Sequence, residues 1–217
     1  MIRAVCFDFD GTLVDTERLQ WQAYREVLLP LGVDVGLEEY RQHWIAAPGG
    51  AEYAHRRYGL AVEPAELKRR KAQRYRALIP EGVRPRLGAP ELLERLAPAF
   101  DLAVVTNSTH EETTVILEHL HLAHHFRALI TRETYARAKP APDAYRTAAA
   151  RLGRAPAECV AIEDTARGAQ AGLDAGMRVL AVPSDLTNDH DFRGCALRVD
   201  DLDAVTVPLL RGLGRAS

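Results

Sequence analysis

The length, composition and charge of the chain exclude several classes of protein. Its 217 residues allow one domain with an insertion or two modest domains. Hydrophobic residues make up 47% and charged residues 27%, a balance that builds an ordinary globular core. A formal net charge of -2 gives no overall attraction to nucleic acid or to an anionic membrane. Since no apolar run approaches the ~20 residues of a membrane helix, we expect neither partner.

The N-terminus and the cysteines favour a cytoplasmic location. The chain enters an apolar, strand-like run directly, with no charged-then-apolar leader before it. Cys6, Cys159 and Cys195 are widely spaced and contain no Cys-x-x-Cys pair. Cys6 and Cys159 stand in apolar runs, which is typical of buried free thiols. A monomer is favoured, although the sequence leaves the oligomeric state unknown.

Taken in chain order, the predicted elements are a strand, a helical stretch and an alternating region. Residues 2–9 form a short apolar run, typical of a strand buried on both faces. Helical spacing follows in residues 16–30, 37–45, 51–58 and 64–79. From residue 84 onward, predicted strands at 102–105, 128–130, 160–162 and 179–182 alternate with predicted helices at 89–96, 111–119, 142–152 and 167–175.

This order predicts an α/β fold. We expect a Rossmann-like, doubly wound parallel sheet core with an inserted α-helical domain. The predicted core comprises residues 1–14 and 84–217, and the predicted insert comprises residues 15–83. Ligands of such sheets bind beyond the carboxyl ends of the strands. The chain leaves the predicted sheet domain for the insert and returns to it near one such end. We therefore expect the insert to cover the site as a lid.

Two carboxylates, Asp8 and Asp10, stand where the first strand is expected to end. Alternate residues of a strand point to the same face, and two like charges there are costly unless a proton or a cation intervenes. Gly11 follows, at a place where a chain leaving a sheet edge often needs an unusual backbone angle. A plain Asp-Gly turn or a calcium loop would also contain Asp-x-Asp-Gly.

The longer string Asp8-Phe9-Asp10-Gly11-Thr12-Leu13-Val14-Asp15-Thr16 resembles the first motif of the haloacid dehalogenase-like (HAD) superfamily. The resemblance is to its phosphatase and beta-phosphoglucomutase-like branch, which carries a helical C1 cap. Three further segments resemble the later motifs, in the family's order and at predicted strand ends: Thr106-Asn107-Ser108, Lys139-Pro140 and Glu163-Asp164. Taken singly, each has a simpler interpretation as a helix cap or a surface turn.

Lys139 carries an argument from composition. Of 28 basic residues only three are lysine, and Lys139 alone lies outside the predicted insert. In a chain so rich in arginine, a lysine there favours a site that needs a compact point charge.

The resemblance implies a role for each residue. Asp8 would attack phosphorus to give an aspartyl-phosphate, and Asp10 would act as general acid and base. Thr106, Asn107, Ser108 and Lys139 would hold the phosphoryl oxygens. Mg²⁺ would be held by Asp8, Asp164, Glu163 and the main-chain carbonyl of Asp10.

The implied function is a Mg²⁺-dependent phosphatase that hydrolyses a small phosphorylated metabolite, either phosphoglycolate-like or sugar-phosphate-like. The alternatives are a sugar-phosphate mutase and a non-catalytic, phospho-accepting regulatory protein. Related mutases carry a cap histidine at the position of Gln20, so Gln20 favours hydrolysis. We expect the substrate-selecting loop of the cap at residues 46–50, with Arg56 and Arg57 as candidates for recognition.

Overall fold

The computed structural model describes residues 1–47 and 49–214. The chain divides into two compact units, one of residues 1–14 and 85–217 and one of residues 15–84. Within the described part, no helix is both long and apolar enough to span a bilayer.

The first unit is built on a parallel sheet of six strands. They are β1 (Ala4–Phe7), β2 (Asp101–Val105), β3 (Ala128–Ile130), β4 (Cys159–Glu163), β5 (Arg178–Ala181) and β6 (Leu197–Arg198). Their spatial order is β3-β2-β1-β4-β5-β6, and all the pairs run parallel. Residues of β1 and of β4 are almost completely buried, which explains their unbroken apolar sequence.

The second unit is helical. It contains α1 (Glu17–Leu28), α2 (Leu37–Tyr40), α3 (Gly50–Tyr58) and α4 (Pro64–Gly82). Helix α1 packs along α4, which buries Leu67, Tyr75 and Ile79 at spacings that are multiples of four residues. The predicted helix at 37–45 is a short α-helix that continues as a π-helical turn over Arg41–Ile45.

In the described part of the first unit, five α-helices accompany the sheet. They are α5 (Ala89–Leu96), α6 (His110–His119), α7 (Asp143–Leu152), α8 (Ala166–Asp174) and α9 (Val207–Leu213). The side of β1 that carries Cys6 packs against Tyr145 of α7 and Ala169 of α8. The chain moves from β1 outward to β2 and β3, then returns to β4 on the opposite side of β1. Because crossovers are right-handed, this reversal puts α5 and α6 on the other face of the sheet from α7 and α8.

The predicted Rossmann-like α/β fold is therefore confirmed. The reversal between β1 and β4 is a topological switch point, where the carboxyl ends of two neighbouring strands open a crevice. One strand and one α-helix of the described chain were not predicted. Strand β6 has only two residues, too few to show a period. Helix α9 is short and begins at a Thr206 cap that accepts a hydrogen bond from the Leu209 N–H.

Candidate active site

The carboxylates of Asp8 and Glu163 come together because β1 and β4 are paired in register. Phe7 lies opposite Ile162, and the Asp8 N–H donates to the Ile162 carbonyl at 2.9 Å. Asp8 follows β1 directly, and Glu163 closes β4. Both acids therefore stand at the switch point, although 154 positions of sequence separate them.

The ammonium of Lys139 lies between these two carboxylates. Its Nζ is 2.5 Å from Asp8 Oδ1, 2.6 Å from Glu163 Oε1 and 2.8 Å from the Val105 carbonyl. Three acceptors lie within 2.8 Å of it, one for each proton of an ammonium, and the Tyr145 hydroxyl oxygen lies farther away at 3.4 Å. Lys139 is 5% exposed, so these bonds form away from bulk water. The Tyr145 hydroxyl donates to the same Glu163 oxygen at 2.7 Å.

Burial and the neighbouring charges shift the pKa values of Lys139 and Asp8. Burial alone would lower the pKa of Lys139, but the charges of Asp8 and Glu163 outweigh burial and raise it. The pKa of Asp8 is raised well above its ordinary value, first by burial and then by repulsion from Glu163. Lys139 counteracts only part of that rise. Lys139 is thus held in its charged form, and its single positive charge does not balance the negative charges of the carboxylates around it.

A third carboxylate, Asp164, completes an acidic group. One oxygen each of Asp8, Glu163 and Asp164 lie within 4.8 Å of one another, close enough for one ion. The Thr12 hydroxyl donates to Asp164 Oδ1 at 3.3 Å. Three carboxylates and one ammonium leave two formal negative charges when all are ionised. Hard oxygen donors with this charge excess suit a divalent cation such as Mg²⁺.

Two glycines make room for these acids. Gly11 has φ +83°, and a Cβ there would stand 2.3 Å from Asp164 Oδ2. A Cβ on Gly168 of α8 would stand 2.1 Å from both carboxylate oxygens of Glu163. Side-chain atoms cannot approach so closely, so the first helical turn of α8 packs against Glu163 only because Gly168 lacks a side chain.

Asp10 lies beside the acidic group without belonging to it. Strand β1 ends at Phe7, so strand alternation does not set the direction of Asp10. Its carboxylate accepts from the Ser108 hydroxyl at 2.6 Å and from the Thr106 hydroxyl at 3.3 Å. The Ser108 N–H in turn donates to Thr106 Oγ1 at 2.9 Å. The carboxyl ends of β1 and β2 are thereby joined through hydroxyl groups.

Asn107 faces a different set of partners. Its Oδ1 accepts from the Lys139 main-chain N–H at 3.1 Å and from the Tyr135 hydroxyl at 2.8 Å. The residues predicted to act in catalysis and to hold the metal and the phosphoryl group therefore gather at the carboxyl ends of β1, β2 and β4, where Lys139 reaches Asp8 and Glu163. Sequence reasoning missed Thr12, Tyr135 and Tyr145. Thr12 stands inside the first motif, but no pattern marks the two tyrosines.

Comparison with known proteins places this geometry in a family. The model of the haloacid dehalogenase-like hydrolases matches residues 5–182. The chain is 32% identical to fructose-1-phosphate phosphatase YqaB of Escherichia coli, over 81% of this chain and 94% of that protein. It is also 32% identical to beta-phosphoglucomutase of Bacillus subtilis, over 83% of each chain.

A solved structure agrees with the sequence relatives. CbbY from Rhodobacter sphaeroides, in complex with phosphate, superposes with a TM-score of 0.86 at 30% identity. The match covers 97% of this chain and 100% of that one. The chain therefore belongs to the haloacid dehalogenase-like hydrolase family.

Proposed function

We propose that this protein is a Mg²⁺-dependent phosphatase that hydrolyses a small phosphate monoester through an aspartyl-phosphate on Asp8. The observation that carries the proposal is the buried Lys139 ammonium between Asp8 and Glu163, beside Asp164, at the switch point of the sheet. A positive charge fixed against an excess of carboxylates suits a reaction that brings a phosphoryl dianion to one of them.

In this proposal Asp8 is the nucleophile. Lys139 occupies Asp8 Oδ1, which leaves Oδ2 as the attacking atom. Attack of Oδ2 on phosphorus forms the acyl phosphate as the ester oxygen leaves, and water later cleaves the new bond to release phosphate. Asp10 gives a proton to the leaving oxygen and takes one from that water. Without substrate, the hydroxyl groups of Ser108 and Thr106 donate to its carboxylate and hold it at the ends of β1 and β2.

The remaining groups hold the phosphoryl oxygens. Thr106, Ser108, the main-chain N–H of Asn107 and Lys139 supply donors along the carboxyl ends of β2 and the neighbouring loop. Asp8, Asp164, Glu163 and the Asp10 carbonyl would hold Mg²⁺, which when bound offsets the repulsion between carboxylate and phosphate. Glu163 already accepts from Lys139 and Tyr145. We therefore assign it mainly to holding the lysine beside the ion.

The substrate class follows from the relatives. One is named for fructose 1-phosphate, and a solved mutant of Rhodobacter sphaeroides CbbY contains xylulose-(1,5)bisphosphate, at 30% identity to this chain. We infer a sugar phosphate as the first class to test, with phosphoglycolate as the second. Because a beta-phosphoglucomutase is also a relative, transfer within one hexose is the competing reaction.

A screen of phosphate monoesters with Mg²⁺, read as released inorganic phosphate, tests the proposal. Isomer analysis after incubation with hexose phosphates exposes a mutase, and a stable phospho-Asp8 without phosphate release indicates a regulatory protein. The Asp8→Asn variant should lose turnover, while Asp191→Asn, a change at an exposed acid paired with Arg193, should keep it.

Asp10→Asn separates the role of Asp10 from binding. We expect this variant to lose at least a hundredfold in kcat, the usual contribution of a positioned general acid and base. It should still bind Mg²⁺ and inorganic phosphate. Near-wild-type phosphatase activity in this variant would refute the assignment.

We also propose that the helical unit of residues 15–84 is the cap of this enzyme. Its compact helical build and its position in sequence between β1 and β2 support this assignment. In the predicted selecting loop, Gly49 has φ +86° and precedes α3, while Pro48 lies outside the described residues. Arg56→Ala and Arg57→Ala test recognition, and an unchanged KM in both variants for every substrate found contradicts it.

A further inference from the structure

Tyr135 supports the loop formed by residues 106–108, the loop that follows β2. It lies after the 3₁₀ turn Arg132–Thr134 and is 8% exposed. Its hydroxyl is 2.7 Å from the Thr106 carbonyl oxygen and 2.8 Å from Asn107 Oδ1. The Arg132 N–H adds a bond to the Ser108 carbonyl at 3.0 Å. The segment after β3 therefore holds this loop at three acceptors.

The orientation of the Asn107 amide is set by a main-chain donor. The Lys139 N–H can only donate, so the atom that it meets at 3.1 Å must be the Asn107 oxygen. Consequently both atoms next to the Tyr135 hydroxyl are acceptors. The single hydroxyl proton is shared between the Thr106 carbonyl and Asn107 Oδ1, and a hydroxyl at this position cannot be replaced by an acceptor.

The bond to the Thr106 carbonyl has a geometric consequence. That carbonyl and the Asn107 N–H belong to one planar trans peptide group, in which they point in opposite directions. Fixing the carbonyl toward Tyr135 directs the Asn107 N–H to the opposite side. Among residues 1–47 and 49–214 that N–H donates to no main-chain carbonyl.

We propose that Tyr135 is a positioning residue that fixes the Thr106–Asn107 peptide plane, so that the Asn107 N–H faces the phosphoryl group. The inference rests on the proposed phosphatase function and adds a residue to it. Tyr135 does not touch the substrate. It acts through the peptide plane, and the plane can rotate when the hydroxyl is removed.

Tyr135→Phe removes the hydroxyl and keeps the ring, so the fold is preserved. We expect kcat/KM to fall about tenfold, the effect of one hydrogen bond. Binding of inorganic phosphate in the presence of Mg²⁺, measured by calorimetry, should weaken by a similar factor. The Mg²⁺ concentration for half-maximal activation should not move, whereas general loosening of the site would change it as well.

Thr134→Val is the matched control. It removes a hydroxyl from the same segment, one that donates to the Thr131 carbonyl at 2.8 Å and not to the loop after β2. We expect phosphate binding and kcat/KM of this variant to equal those of the wild type. Equal losses in both variants, or wild-type phosphate binding in Tyr135→Phe, overturn the proposal.

The Asn107→Ala background separates the two bonds of the hydroxyl. It removes the side-chain acceptor and retains the peptide plane. Tyr135→Phe should still cost about tenfold in phosphate binding there, and no further loss contradicts the role of the plane. Because phosphate binding needs no turnover, a wild-type protein that binds phosphate but hydrolyses no ester would refute the proposed function alone. A wild-type protein that binds no phosphate would refute both.

Discussion

Replacing Lys139 with Met removes the one cation between Asp8 and Glu163 while keeping a side chain of similar length. The two carboxylates would then face each other with no ammonium between them, since Lys139 donates to both at 2.5 and 2.6 Å. Two unit charges no more than 4.8 Å apart repel by at least roughly 3.5 kcal/mol at an effective dielectric constant of about 20. Removing one partner of a buried ion pair costs about 3–5 kcal/mol. We therefore expect the free energy of unfolding to fall by about 3–5 kcal/mol.

The loss should depend on pH in a defined direction. Burial and Glu163 already raise the pKa of Asp8 above its value in the unfolded chain, and Lys139 counteracts part of that rise. Without Lys139 the folded-state pKa of Asp8 rises further. A carboxyl group with a raised folded-state pKa destabilises the protein above that pKa, and the cost is relieved as the pH falls through it. The deficit of the variant should be largest near pH 8 and smaller at pH 5.

Urea unfolding with EDTA present, at pH 8 and at pH 5, measures both effects. Lys68→Met is the matched control, because Lys68 pairs with Glu52 where both side chains are exposed, and it should cost less than about 1 kcal/mol. Adding Mg²⁺ should return part of the stability of Lys139→Met, about 2.7 kcal/mol at a hundred times its Kd. A loss below about 1 kcal/mol at pH 8, or a deficit that is the same at both pH values, would refute the charge balance described above.

Two further predictions concern Gly11, near the carboxyl ends of the strands, and Asp101, at the amino end of β2. Gly11→Ala should lower the free energy of unfolding by about 1–2 kcal/mol, because alanine is strained in a left-handed backbone. It should also weaken Mg²⁺ binding, since the new Cβ displaces Asp164. A Mg²⁺ affinity equal to that of the wild type, measured by calorimetry, would contradict this. Burial would raise the pKa of Asp101, but hydrogen bonds from Arg154 and Arg127 outweigh it and lower that pKa. Asp101→Asn should therefore lose about 1–3 kcal/mol at pH 7. A carboxyl group whose pKa is lowered in the folded state stabilises the protein above its unfolded pKa of about 3.9, and this gain disappears as the pH falls. The free energies of unfolding of the wild type and Asp101→Asn, measured in urea, should therefore differ less at pH 3.

The sequence predicted the sheet, and the polar residues that end its strands, for a physical reason. Strands β1, β2 and β4 are short apolar runs, and each of these runs stops at a polar group that the interior does not accept without a partner. Asp8, Thr106 and Glu163 could therefore be placed at strand ends without coordinates. The parallel topology then brings those ends to one edge, so the assembly of the site follows from the fold.

The supporting residues could not be predicted in the same way. Tyr135 and Tyr145 are ordinary buried aromatic residues in sequence, and what their hydroxyl groups bind depends on how separate segments pack. The same holds for Gly168, whose lack of a side chain matters only because Glu163 lies beside it. The direction of Asp10 was also beyond strand periodicity, because β1 stops at Phe7.

The central position of β1 in the sheet has a consequence for how the protein matures. Strand β1 is flanked by β2 and β4, and the whole helical unit is synthesised after β1 and before either neighbour exists. Contacts between segments so distant in sequence form late and slowly. Until β4 docks, Asp8 has neither Glu163 nor Asp164 beside it, so a nascent or truncated chain that ends before residue 159 should have no enzymatic competence.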